Sequence, residues 1–303
     1  MNDVLLIPGF ARLVDYVGLW SVEPTAAARL FGLAKSFDLA AHIQERLAHP
    51  EPLRSAVEKI PAAGGSSTAL IRLTGLLMKG QSSMGGTSTV QARRDIRQAA
   101  ADPDVSGIVL AIDSPGGTVS GTDDLATDVR AARRIKPVVA QIDDLGASAA
   151  YWVASQASKV YANSSTALIG SIGTYQVLQD MSEAAAKEGI RTLVFATGAL
   201  KGLGTPGSKV TDEQAAHVQA LVDAVQGSFD AAVQKGRGLT DRQLATVRHG
   251  GVLTAPDAMN AKLIDGIQPL SKTLAEMSSA ARSQPLRAAG GLPMVRQVLQ
   301  TLK

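Results

Sequence analysis

Apolar residues change their spacing along this chain. Over 26–48 they recur at helical intervals (Leu30, Leu33, Phe37, Ile43, Leu47), which predicts a helix opened at Glu23-Pro24-Thr25. His49-Pro50-Glu51-Pro52 stops it, because proline cannot continue a helix. Pro61-Ala-Ala-Gly-Gly-Ser-Ser67 then reads as a flexible linker. Beyond it short apolar runs alternate with amphipathic stretches. Strands are expected over 69–74, 107–112, 137–142, 159–162 and 191–196, and helices over 90–101, 120–134 and 148–157. Thr211-Asp-Glu-Gln214 has the form of a capping box, predicting a long helix to about Lys235. Thr240-Asp-Arg-Gln243 and Thr254-Ala-Pro-Asp257 open two more. Such alternation predicts the α/β class, a mainly parallel sheet covered by helices. After Leu270 the chain is rich in Ala, Ser, Arg and Gly and reads as a loosely attached tail. The expected organisation is an N-terminal helical segment and linker over 1–64, an α/β domain over 65–270, and a tail over 271–303.

Composition narrows the class. Of 303 residues, 45% are hydrophobic and 19% charged, enough to bury a sizeable core. Only 4% are aromatic, so that core is built from Ala, Val, Leu and Ile. The net charge of +3 is spread along the chain, which argues against nucleic acid as a partner. The absence of cysteine excludes disulfides, thiol catalysis and cysteine-ligated zinc, and suits a reducing compartment. No run reaches the roughly 18 apolar residues of a membrane span, and no basic segment precedes the short apolar run over 4–10 as in an export signal. A cytoplasmic protein without an integral membrane anchor is expected.

Three segments carry chemistry, each where a strand ends. Asp113-Ser-Pro-Gly-Gly-Thr118 lets the backbone approach a ligand and turn N–H groups towards it. A plain strand-to-helix turn is its simpler role. Asp143-Asp-Leu-Gly-Ala-Ser-Ala-Ala-Tyr151 places Ser148 at a helix start, where developing negative charge is favoured. Taken alone, helix capping is the commoner duty of such a serine. Thr197-Gly-Ala-Leu-Lys-Gly-Leu-Gly-Thr-Pro206 holds Lys201 among glycines, where partial burial would free its amine to accept a proton. Together they meet the needs of acyl transfer: a nucleophile, a base and oxyanion donors. A Ser–His–Asp triad fits less well, since only His217, inside a long helix, and His249, before a Gly-Gly turn, lie in the α/β region.

With these segments in view, the sequence resembles the S49 peptidases, the signal-peptide-peptidase-like branch of the ClpP/crotonase superfamily. The resemblance covers about residues 66–270. It rests on Asp113-Ser-Pro-Gly-Gly117, Gly146-Ala-Ser-Ala-Ala-Tyr151, Gly170-Ser-Ile-Gly173, Thr197-Gly-Ala-Leu-Lys201 with Gly204-Thr-Pro206, and Ala258-Met-Asn-Ala-Lys-Leu-Ile-Asp-Gly266, in the family's order. It implies a spiral of strand–helix units and a Ser–Lys dyad, with Ser148 as nucleophile and Lys201 as general base. It also implies an oxyanion hole from the N–H groups of Gly117 and Ala149, with Gly116 shaping the turn, and Ser171 as a possible orienter of the lysine. Ala149 stands where the family often has glycine, and Thr197 and Thr205 where serine is frequent.

Trp20-Ser-Val-Glu-Pro24 before an apolar helix is similar to the start of phage and prophage S49 proteases that process capsid scaffolds. The resemblance therefore implies a polypeptide substrate, either a capsid assembly protein or a signal-peptide-like segment, and a homo-oligomer. It implies no metal and no cofactor. Two rival readings are a crotonase-type acyl-CoA enzyme, which would need pocket carboxylates, and a non-catalytic assembly protein.

Overall fold

The computed structural model describes residues 19–24, 26, 57–80 and 86–283. The helix expected over 26–48 falls, apart from Ala26, outside them, as do His42 and His49.

The architecture is α/β, as the alternation predicts. In chain order the elements are β1 (Trp20–Val22), β2 (Val57–Pro61), β3 (Ser67–Thr74), β4 (Leu77–Met78), β5 (Thr87–Ser88), α1 (Thr89–Ala101), β6 (Val105–Ser114), β7 (Gly116–Thr118), α2 (Thr122–Ala132) and β8 (Val138–Ala147). They continue with α3 (Ala149–Ala154), β9 (Lys159–Ala162), β10 (Leu168–Gly170), α4 (Ser182–Lys187), α5 (Asp212–Arg237), α6 (Asp241–Val247), β11 (Val252–Thr254), α7 (Ala255–Asn260), β12 (Gly266–Ile267) and α8 (Leu270–Ser283). The large sheet runs β11-β10-β8-β6-β3-β2, with β3, β6 and β8 parallel. Beside β8, β9 pairs with Val139–Ile142 and β10 with Leu145–Ala147. A second sheet runs β1-β7-β4-β5.

The core follows from the apolar runs. Leu70, Ile71, Leu73, Ile108, Leu110, Ile112, Val138 and Ile142 are buried, as expected of parallel strands covered on both faces. Helix α3 is buried throughout, and its Trp152 stacks on Phe229 of α5 with ring centroids 4.7 Å apart. The two backbones approach so closely that a Cβ on Gly236 would stand 2.2 Å from the Ser155 carbonyl oxygen.

Four expectations need correction. Strand β8 runs on through Asp143-Asp-Leu-Gly146, past the end expected at residue 142. Residues 61–67 are no free linker: a short turn at Ala63–Gly65 joins β2 to β3 as an antiparallel pair. Residues 191–196 form no strand, for lack of a neighbour to complete the hydrogen bonds. The stretch after Leu270 is helical, and its Met277 packs against Leu70, Val109 and Val139, so 270–283 is no loose tail. Residues beyond 283 lie outside the described part.

Candidate active site

Parallel strands aim their C-terminal ends at one edge, and β6 and β8 bring the Gly-Gly turn and Ser148 together there. Strand β8 passes into α3 through Ser148 alone, at φ 55° and ψ −121°. A residue with a Cβ rarely adopts that backbone, and holding it there costs on the order of 1–3 kcal/mol. The Ser148 N–H donates to the Gly170 carbonyl at 2.7 Å, which fixes the turn. Its side chain makes no capping bond to α3, so the commoner duty of a serine at this position does not apply. Instead its buried Oγ lies 2.7 Å from Ser21 Oγ and 3.5 Å from the Gly173 carbonyl oxygen.

Gly116, at φ 101°, shares this corner with Ser148. A Cβ on Gly116 would stand 2.2 Å from the Ser21 carbonyl oxygen, 2.9 Å from the Ala149 nitrogen and 2.9 Å from Ser148 Cβ. Any larger residue would push apart the groups that meet there. At Gly117 a Cβ would come within 1.8 Å of the Leu77 carbonyl oxygen, so both glycines are required by close approach. Burial raises the Asp113 carboxyl above its ordinary value, helped by the charges of Asp143 and Asp144.

Of the expected site residues, the structure thus brings together Ser148, Gly116, Gly117 and Ala149. Ser171 is close in sequence to this corner, at φ 49°, but its hydroxyl donates to the Gly250 carbonyl at 3.0 Å and not to a lysine. Lys201 sits in a turn, its N–H donating to Gly198 O at 3.0 Å. The side chain is exposed, and its amine bonds to no carboxylate or hydroxyl among the described residues, Ser148 included. It belongs to an arm over 176–210 whose two ends are joined by Asp180, which accepts from Ser182 Oγ, Ser182 N–H and Val210 N–H. Those bonds, the Ser182 hydroxyl foremost, hold the Asp180 carboxyl at about 2. Val177, Met181, Ile190, Leu193 and Phe195 on this arm are exposed, Phe195 to 92%. His217 and His249 are both exposed; His249 Nδ1 accepts from Gly251 N–H, and neither bonds to Ser148.

Sequence reasoning quoted the segments that contain Ser21 and Gly173 but did not place either residue at Ser148, nor the pairing of Trp20 with Tyr175 beside them. The alternation Trp20-Ser21-Val22 is the only local trace of a strand there, too short for a periodicity argument.

The model of peptidase family S49 matches residues 130–284, which include Ser148 and Lys201. The chain belongs to this family. Among S49 relatives, Capsid assembly protease C of Escherichia phage lambda is 32% identical over 210 residues, covering 69% of this chain and 47% of its own length. Protease 4 of Salmonella typhi is 28% identical over 225 residues, with 74% and 36% covered. Head-tail preconnector protein GP5 of Enterobacteria phage P21 is 29% identical over 288 residues, with 93% and 56% covered. This S49 chain therefore spans between about a third and just over half of the length of these relatives. A solved enoyl-CoA hydratase from Mycobacterium smegmatis aligns at 12% identity and a TM-score of 0.45, over 83% of this chain and 90% of its own.

Among the described residues no helix is long and apolar enough to cross a membrane, and no cluster of His, Asp and Glu has the form of a metal site.

Proposed function

We propose that this chain is a serine endopeptidase in which Ser148 attacks the scissile carbonyl and Lys201 takes the serine proton. The observation that carries this reading is the strained turn at Ser148, which puts its Cβ and the Ala149 amide at the corner where Gly116 has no room for a side chain. Strain of this kind persists only where the surrounding structure enforces it, and nucleophiles on strand-to-helix turns are a recurrent reason. In the proposed reaction the N–H groups of Gly117 and Ala149 receive the oxyanion of the tetrahedral intermediate. The protonated lysine returns its proton to the leaving amine, and water then releases the acyl group from Ser148. Lys201 must leave its exposed position for this. The apolar side chains of its arm offer a surface for a second copy of the chain to bury, so assembly into a homo-oligomer belongs to the same proposal.

The name of Capsid assembly protease C suggests a capsid assembly protein as substrate, and the resemblance carried by the sequence motifs leaves a signal-peptide-like segment as the alternative. Cleavage of casein by wild type and Ser148→Ala tests the chemistry. The alanine variant is expected to fold and to lose at least about a hundredfold in rate, the usual lower bound for loss of a catalytic group. Retention of near wild-type cleavage would remove Ser148 from the mechanism.

A further inference from the structure

The corner that holds Ser148 is already filled by another part of the chain. Trp20 exchanges both main-chain bonds with Tyr175, each at 3.0 Å. On its other edge the same segment pairs antiparallel with β7, Ser21 opposite Gly117. There Val119 N–H donates to Leu19 O at 3.0 Å and Glu23 N–H to Pro115 O at 2.7 Å. In an antiparallel ladder the hydrogen-bonded pairs recur at every second residue, so Ser21 and Gly117 form the pair between these two. The Gly117 N–H thus donates to the Ser21 carbonyl. That same carbonyl oxygen lies 2.2 Å from the point at which Gly116 would carry a Cβ, a point 2.9 Å from the Ala149 nitrogen. The Ser21 hydroxyl in turn donates to Gly173 O at 3.0 Å and contacts Ser148 Oγ at 2.7 Å. Ser21 and Val22 are both buried, so the strand is seated rather than draped.

We infer that residues 19–23 are a built-in inhibitory strand, occupying the groove across Ser148 that an extended polypeptide must enter. The inference rests on Ser148 being the nucleophile. Three functions of the site are taken at once: the Gly117 donor by a carbonyl, the serine hydroxyl by another hydroxyl, and both flanking edges, Gly117–Val119 and Gly173–Tyr175, by main-chain and side-chain bonds. A substrate that docks by adding a strand needs the same edges, because main-chain pairing supplies its affinity. It therefore competes with a tethered rival whose effective concentration is on the order of millimolar. Activity then requires withdrawal of residues 19–23, and a free enzyme at rest is latent.

The test measures how fast a fluorophosphonate labels Ser148 in the full-length chain, with the labelled peptide identified by mass spectrometry. Ser21→Pro removes the N–H that faces Gly117 O together with the hydroxyl. Trp20→Pro removes the N–H that bonds Tyr175 O on the opposite edge. A strand closed nine-tenths of the time gives about a tenfold gain on removal, so both variants are expected to label at least about tenfold faster than wild type. The peptide Leu-Trp-Ser-Val-Glu, capped at both ends, is expected to slow the variants again. If one proline variant fails to fold by circular dichroism, the other and Ser21→Ala, which keeps the main-chain pairing, carry the test. Equal labelling of wild type and folded variants would overturn the inhibitory strand while leaving Ser148 as nucleophile. Absence of Ser148 labelling in every form would overturn both.

Discussion

At the scale of single residues, Ser148 combines a reactive position with an unfavourable backbone. Glycine suits φ 55°, ψ −121° better than any residue with a Cβ. Ser148→Gly is therefore expected to be as inactive as Ser148→Ala yet more stable than it by about 1 kcal/mol, measured by denaturant unfolding. Equal stability of the two would mean the turn is not strained. Lys201 gives a different kind of test. Arginine keeps the positive charge but does not give up its proton in proteins. Lys201→Arg should thus lose at least about a hundredfold in kcat/KM on casein. Retention of a tenth or more of the wild-type value would send the search for the base to His217 and His249.

Secondary-structure elements are held in register by a few polar ties between them. Asp265, just before β12, accepts from Arg237 of α5 at 2.9 Å and from Val160 N–H of β9 at 2.8 Å, with Lys159 at 3.4 Å. Burial pushes its carboxyl up, but the Arg237 and Val160 hydrogen bonds and the charges of Arg237 and Lys159 outweigh this and leave it below the ordinary value. A lowered carboxylate stabilises the fold above its unfolded value, near 3.9, and loses that contribution as pH falls through the folded value. Asp265→Asn is expected to cost about 1 kcal/mol at neutral pH, since solvent screens a pair this exposed. The gap to wild type should close as unfolding is measured from about pH 5 down to about pH 2. A gap that does not change with pH would show the carboxylate charge to be irrelevant.

Elements with local signals were legible in the sequence. Both capping boxes form, Thr211 with Gln214 and Thr240 with Gln243. The apolar runs of β3, β6 and the first half of β8 are strands. Among the site residues, the Gly-Gly turn and Ser148 were legible because each ends such a strand. What stayed hidden depends on partners far away in sequence. Strand β1 exists because Gly117 and Tyr175 receive it, and residues 191–196 have strand-like composition but no neighbour. Asp143-Asp144 and Gly146 lie past the expected end of the strand, yet pairing of Gly146 with Ser114 and Ile169 keeps them in β8.

For the whole molecule, the arm over 176–210 sets the expectation. It carries Phe195, Leu193 and Ile190 in solvent, which an assembled state would cover. Light scattering at micromolar concentration is expected to find a homo-oligomer, and Phe195→Asp to shift it towards monomer with loss of casein cleavage. A wild-type monomer that cleaves casein would refute that link.

The direct passage of β8 into Ser148 has one further consequence, for which parts of the protein can breathe. Strand β8 is paired on both sides over Val139–Ile142 and again at Gly146, by β6 and by β9 or β10. Amide hydrogens in such a central strand exchange with solvent only through global unfolding, whereas an exposed loop opens at little cost. The Ser148 amide, bonded to Gly170 O, should then rank among the slowest exchangers, and the amides around Lys201 among the fastest. The proposed nucleophile is the fixed point of the molecule, and its proposed base rides on a part that opens freely.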